Sequence, residues 1–295
     1  MPPAAPRASA PSSRRARRGL SLPVAICLST AAAPAFAFDP FEIQVYDGAT
    51  NQAGEASLEL HANYHHAPSQ PAGPGPELPT HKQAHFTLEP ALGLTPYWEV
   101  GAYVQVAARF DDTLYWAGGK LRSKLVTPEG WDPHWTLGIN YEIGAVPRYF
   151  DADRYGAEIR PILAYEARFV KLALNPNVEV GFAGEGLRAG PELTPAAAAY
   201  LRIPDVAEIG VEYYASLGPV KHVPRLAQQE HYLFGAGNLL ALAGWELNAG
   251  VGAGLTDGST DLIAKLIVGH SLGRLWGRDR GHVASGSPAR GTARR

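Results

Sequence analysis

The sequence has little cysteine: a single residue, Cys27, and it lies in an N-terminal leader. Disulfide scaffolds, cysteine metal sites and thiol catalysis are therefore excluded from the folded chain. No run of 18 apolar residues occurs, which excludes a membrane-spanning helix. Charged residues make up only 18% of the 295, where about 25% is usual for a soluble domain. A basic excess is missing as well. The 26 Lys+Arg face 28 Asp+Glu for a formal charge of −2, which argues against a nucleic-acid ligand. That balance is uneven along the chain: residues 1–37 hold five Arg and no acid, so the remaining 21 basic and 28 acidic residues give −7.

The leader has a basic start, Arg14-Arg15-Ala16-Arg17-Arg18. A short apolar core from Leu20 to Ala33 follows, then Ala35-Phe36-Ala37. A charged start, a short core and small residues before the cut describe a secretory signal over 1–37, cleaved after Ala37. Residues 273–295 contain six Arg with Gly, Ser and Pro and no periodicity, a composition that cannot bury a core and predicts a disordered basic tail.

Between these ends the hydrophobic pattern has period two. Leu60, Ala62 and Tyr64 alternate with Glu59, His61 and Asn63, and Trp245, Leu247, Ala249, Val251, Ala253 and Leu255 alternate with polar or glycine positions. Strict alternation reads as strands with one apolar and one polar face. Twelve are predicted, over 55–65, 81–93, 97–110, 114–127, 132–146, 154–165, 169–183, 191–203, 206–217, 228–238, 243–255 and 260–272. Most are longer than the 5–6 residues common in soluble proteins and long enough for a tilted bilayer crossing, which needs about 9–11. Every other connection is tight, as at Leu94-Thr95-Pro96 and Pro204-Asp205, while 66–80, 147–153, 184–190 and 218–227 are longer. Aromatics gather near strand ends: Tyr97, Trp98, Trp131, Trp135, Tyr149, Phe150, Tyr155, Tyr165 and Phe169. Alternating long strands, turns of unequal length and aromatic girdles predict an all-β fold, a transmembrane antiparallel up-and-down barrel of the outer-membrane type over 55–272. Residues 38–54 are left as a periplasmic N-terminal segment or a plug. An even strand number puts both barrel ends in the periplasm.

Several stretches resemble a group of Gram-negative outer-membrane barrels. They are Phe41-Glu42-Ile43-Gln44-Val45-Tyr46-Asp47, Gly54-Glu55, Leu58-Glu59-Leu60-His61, and Gly118-Gly119-Lys120-Leu121-Arg122-Ser123-Lys124. The ending Gly254-Leu255-Thr256-Asp257-Gly258 with Lys265-Leu266-Ile267-Val268-Gly269 is similar to the outer-membrane transporters associated with phenol-degradation pathways. The resemblance covers most of 41–272 and implies a barrel with transport activity and no agreed substrate. Such barrels usually end on an aromatic residue, whereas the predicted last strand here ends His270-Ser271-Leu272.

If apolar positions face lipid, the other parity faces the lumen. Charge on the lipid face would cost roughly 2–4 kcal/mol for each Arg or Lys at mid-bilayer. The lumen-lining candidates are Lys120, Arg122, Lys124, Glu158, Arg160, Glu99, Tyr103, Gln105, Arg109, Glu208 and Glu212. They form either a charged constriction that selects solutes or a salt-bridge network that holds a narrow barrel closed. In the first hairpin, His61 and His65 share a face, as do His81 and His85. Converging imidazoles suit Zn²⁺ or Cu²⁺, and polar lumen residues are the plainer reading. Ser271 beside His270 is the one pair suggestive of hydrolysis, but adjacent strand residues point to opposite faces. The expected function is a passive channel or uptake barrel for an unspecified small solute. It would be monomeric, would sit in the outer membrane among its lipids after insertion by the barrel-assembly machinery, and would need no cofactor and no nucleic acid. The alternatives are a non-conducting structural or surface-interaction barrel and, more remotely, a lipid-modifying enzyme.

Overall fold

The computed structural model describes residues 39–66, 78, 82–109, 113–128, 130–151, 154–242 and 244–276. The leader 1–37 and the tail from 277 onward lie outside the described residues. Period-two segments fold as antiparallel strands: β1 Glu55–His65, β2 Gln83–Thr95, β3 Trp98–Arg109, β4 Leu114–Val126, β5 Trp135–Ala145, β6 Tyr155–Glu166, β7 Val170–Asn175 and β8 Val178–Gly181. After a short helix, α1 Gly184–Ala189, come β9 Glu192–Leu193, β10 Ala196–Ile203, β11 Ala207–Ser216, β12 Glu230–Leu239, β13 Trp245–Gly254 and β14 Leu262–Arg274. Sequence neighbours pair around a ring that β1–β14 closes. With β7 and β8 making one stave, and β9 and β10 another, the barrel has twelve. Closure removes every sheet edge, as a spanning sheet must.

The two split staves depart from the unbroken strands predicted over 169–183 and 191–203, and proline explains both breaks. Pro176 and Pro195 lie between the segments and bring no N–H to a ladder. On the facing stave, β6 pairs with β7 through Leu163–Glu166 and with β8 through Gly156–Ile159. Pro161, another residue without a donor, falls between the two ladders.

A second departure re-aims β4. Gln105 pairs with Gly118 and Val106 with Trp116, so Ala117 is an extra residue in the ladder. Gly118 has φ +101°, and a Cβ there would lie 2.1 Å from the Ala145 carbonyl oxygen, so the position requires glycine. The bulge turns Trp116 outward although Lys120, Arg122 and Lys124, of the same parity, turn inward.

The outer surface is a lipid-type solvent boundary. Leu121, Ile143, Leu201, Ile209, Val211 and Val251 are all exposed on it, Leu201 to 71%. Exposed Tyr97, Trp98, Trp131, Trp135, Phe169 and Trp245 lie at the end with the tight connections, here the turn end. Trp116, Tyr155 and Phe182 lie at the opposite, loop end. Phe150, expected in a girdle, instead packs inward, its ring 5.3 Å from Phe41 and 6.4 Å from His85. The last strand also runs past the predicted 272 to Arg274, and the Leu275 N–H donates to the Gly54 carbonyl at 2.7 Å. Exposed Trp276 follows, so an aromatic residue does stand two positions beyond the strand.

The core lies in the lumen, and residues 39–54 occupy it. At the loop end Phe41 packs on Ala107 and Ala117. Next to it Ile43 packs on Ala196, Tyr214, Tyr232, Phe234 and Ile263. At the turn end the Thr50 hydroxyl reaches the Pro96 carbonyl, and the Gly54 N–H donates to Gly93. Gly93 makes this descent possible, because a Cβ there would meet the Gln52 and Asn51 carbonyl oxygens at 2.3 and 2.4 Å.

Candidate lumen site

Strand alternation brings Glu99, Tyr103, Gln105, Lys120, Arg122, Lys124, Glu158, Arg160, Glu208 and Glu212 onto the inner face, all buried except Lys120 and Lys124, which are nearly so. Arg109 stands apart from this group, opposite Gln83 at the loop end of β3. Taking charges out of water is costly unless each finds a partner, and most here find one on a nearby strand of the wall. Arg122 sits between Glu89 and Glu99, at 2.5 and 2.7 Å, and Lys124 adds a contact to Glu99 at 3.0 Å. Glu212 receives Lys265, Tyr200 and Tyr214. Arg202 spans Glu166 and Glu208.

Three cations are shared between the inner segment and the wall. Lys120 lies 2.6 Å from Asp39 and 3.2 Å from Glu142. Arg160 lies 2.9 Å from Glu42 and 2.6 Å from Glu158. Lys171 lies 2.7 Å from Asp47 and 2.9 Å from Glu208. Each cation thus contacts residues 39–47 and one acid of a strand, Lys120 also lying 3.9 Å from Glu42. Tyr46 reinforces the middle contact: its hydroxyl donates to Glu42 at 3.0 Å and meets the Tyr103 hydroxyl at 2.8 Å, while the Arg160 guanidinium lies 4.4 Å from its ring centre. The Asn175 side chain holds both the Tyr46 N–H and its carbonyl.

Beside these contacts, carboxylates align in register. Glu142 stands opposite Glu158, Glu158 opposite Glu179, and Glu179 opposite Glu192. Glu142 and Glu158 share Lys120 and Arg160. Glu179 accepts from the Thr194 hydroxyl at 2.8 Å and Glu192 from Ser216 at 2.5 Å.

The histidines divide. His61 lies 3.2 Å from Glu89 and 3.7 Å from Glu59, and among the described residues these three form the one cluster whose metal-ligating atoms converge within 4.8 Å. The Arg122 guanidinium on Glu89 already supplies that cluster with a fixed cation. His65 and His85 meet edge to face, ring centres 5.0 Å apart. His81, expected beside His65, lies outside the described residues, and register places Gln83 opposite His65. Ser271 and His270 turn to different partners, the Ser271 hydroxyl to Glu55 at 2.7 Å and the His270 ring to the Gly244 carbonyl at 2.6 Å.

Several residues central to this site were absent from the sequence-based candidates: Asp39, Glu42, Tyr46, Asp47, Glu89, Glu142, Lys171, Glu179 and Lys265. Glu89, Glu142, Lys171 and Lys265 share the inward parity of their strands, so alternation alone could have found them. The acids of 39–47 lie outside the predicted strands, so alternation was not applied to them.

An apolar outside, a charged and filled inside and complete strand closure define the chain as an outer-membrane-type β-barrel. No family model matches it, and no curated protein matches it by sequence. Its fold is similar to that of a solved outer membrane channel from Pseudomonas putida F1, with TM-score 0.53 and 9% identity over 78% of this chain and 100% of that one. A porin solved with disordered oligogalacturonate (TM-score 0.46, 9% identity, 72% of this chain and 98% of that one) overlaps more loosely. So does the outer membrane phospholipase A of Escherichia coli (TM-score 0.40, 14% identity, 82% of this chain and 96% of that one).

Proposed function

We propose that the protein is an outer-membrane channel for small solutes whose bore is closed by its own residues 39–54, a plug held by three shared cations. The observation that carries this reading is the arrangement of Lys120, Arg160 and Lys171. Each keeps a wall carboxylate when its plug carboxylate leaves, so the plug can release without stranding a buried charge. A latch that broke its ion pairs outright would cost several kcal/mol at each. Exchange between partners costs far less. The solute would then pass a polar bore by diffusion, its charge preference set by Lys120, Arg122, Lys124, Glu99 and Glu158. The resemblance of the 254–269 ending to transporters of phenol-degradation pathways supports small-molecule uptake. Export by the leader, insertion as a monomer with the turn end in the periplasm, and cleavage after Ala37 complete the proposal.

Bilayer conductance tests it. The full mature chain should be nearly silent, while Asp39→Asn, Glu42→Gln and Asp47→Asn together should give steady openings. Silence in both favours the second reading, a non-conducting barrel, which the dense pairing around Arg122 and Glu212 also suits.

A further inference from the structure

A small cavity lies at the loop-end side of the lumen, lined by Asp39, Glu42, Glu158, Arg160, Asn177 and Glu179 among others. Four of these are carboxylates and one is a cation, and the net charge stays negative even when Lys120, on Asp39, is included. The register sharpens the imbalance. Glu179 stands directly between Glu158 and Glu192 on the neighbouring strands, and like charges directly opposite one another destabilise a sheet. Hydroxyls alone answer Glu179 and Glu192 among the contacts described above. An independent observation points the same way: the Asn177 side chain is 6% exposed, lines the cavity, and its Oδ1 has no hydrogen-bond partner. A buried amide oxygen left unpaired is costly, and it is a ligand that hard cations use.

We infer that this cavity binds one divalent cation of the Ca²⁺/Mg²⁺ class, with Asn177 Oδ1 and the Glu158 and Glu179 carboxylates as its protein ligands. Carboxylate and amide oxygens without nitrogen or sulfur select a hard ion over zinc or copper. The cavity holds about 20 Å³, room for one water-sized occupant, which suits an ion and excludes an organic solute. No three of the carboxylates bring their oxygens within 4.8 Å of one another, so water completes the shell, as Mg²⁺ in particular retains it. The bound ion would neutralise the carboxylate row beside Asp39 and so stiffen the loop end of the plug. This inference does not depend on whether the barrel conducts.

The test uses the full mature chain refolded in lipopolysaccharide-free detergent, with CaCl₂ and MgCl₂ titrated separately by calorimetry and by thermal unfolding. Saturable binding of one ion and a raised Tm are expected. Glu179→Gln, which keeps the Thr194 hydrogen bond, should weaken binding at least tenfold. Asn177→Asp should tighten calcium binding while lowering the Tm of the ion-free protein, a pair of opposite shifts that a purely structural role would not produce. Unchanged affinity in both variants, or no binding by the wild type, overturns the inference. It would leave the carboxylates to another cation, such as the amino group exposed by cleavage after Ala37.

Discussion

The basic ladder of β4 and the carboxylate row across β5, β6, β8 and β9 solve the same problem differently. Lys120, Arg122 and Lys124 stand on one strand, and each faces an acid from another element within 3.0 Å. The row has the reverse geometry, with one carboxylate on each of four neighbouring strands. Arg160 and Lys120 reach its first two members, while Glu179 and Glu192 have hydroxyls. Charges aligned along a strand can be answered by the staves on either side and by the plug, because their partners come from other elements. Charges aligned across strands occupy the positions their own counter-ions would need. The first arrangement therefore closes on itself, and the second stays open to an ion from outside.

Breaking the ladder should have the largest effect. Arg122→Leu leaves Glu89 and Glu99 buried without their guanidinium and should cost about 3–5 kcal/mol, read as a lowered urea midpoint in detergent. Next comes the lipid face of the same strand. Leu121→Arg, adjacent in sequence but outward, should cost about 2–4 kcal/mol by the same readout in liposomes. Disturbing the row should move stability least and in the opposite direction. In ion-free buffer Glu179→Gln removes a like-charge pairing and should stabilise the barrel by about 0.2–1 kcal/mol, a gain that added calcium would erase. A loss of stability there in ion-free buffer would mean that Glu179 has a cationic partner in the protein itself.

How much of this was legible in the sequence depends on what period two can specify. Alternation fixes which face a residue takes, and it placed the chain in an outer-membrane barrel and turned Arg122, Glu158 and Glu212 inward. It is silent on partners, which depend on register: that Glu142, Glu158, Glu179 and Glu192 fall at one height follows from turn lengths and the Pro161 and Pro176 gaps. The bulge at Ala117 and Gly118 defeated simple parity, since Trp116 would otherwise join Lys120 on the inner face. Phe150 was assigned to a girdle because aromatic position alone does not distinguish a ring packed on lipid from one packed on Phe41. The plug was the least visible part. Its acids sit in an irregular stretch whose partners, such as Asn175 for Tyr46, lie more than a hundred residues away.

The shared cations Lys120, Arg160 and Lys171 tie this account together, and conductance tests them most directly. Wild-type protein and the Asp39→Asn, Glu42→Gln, Asp47→Asn variant would be compared in one planar bilayer at equal protein density. Closed or rarely open wild-type barrels beside a steadily conducting variant of equal folded fraction are expected. Equal conductance in the two, whether high or absent, would contradict a plug latched by these three cations.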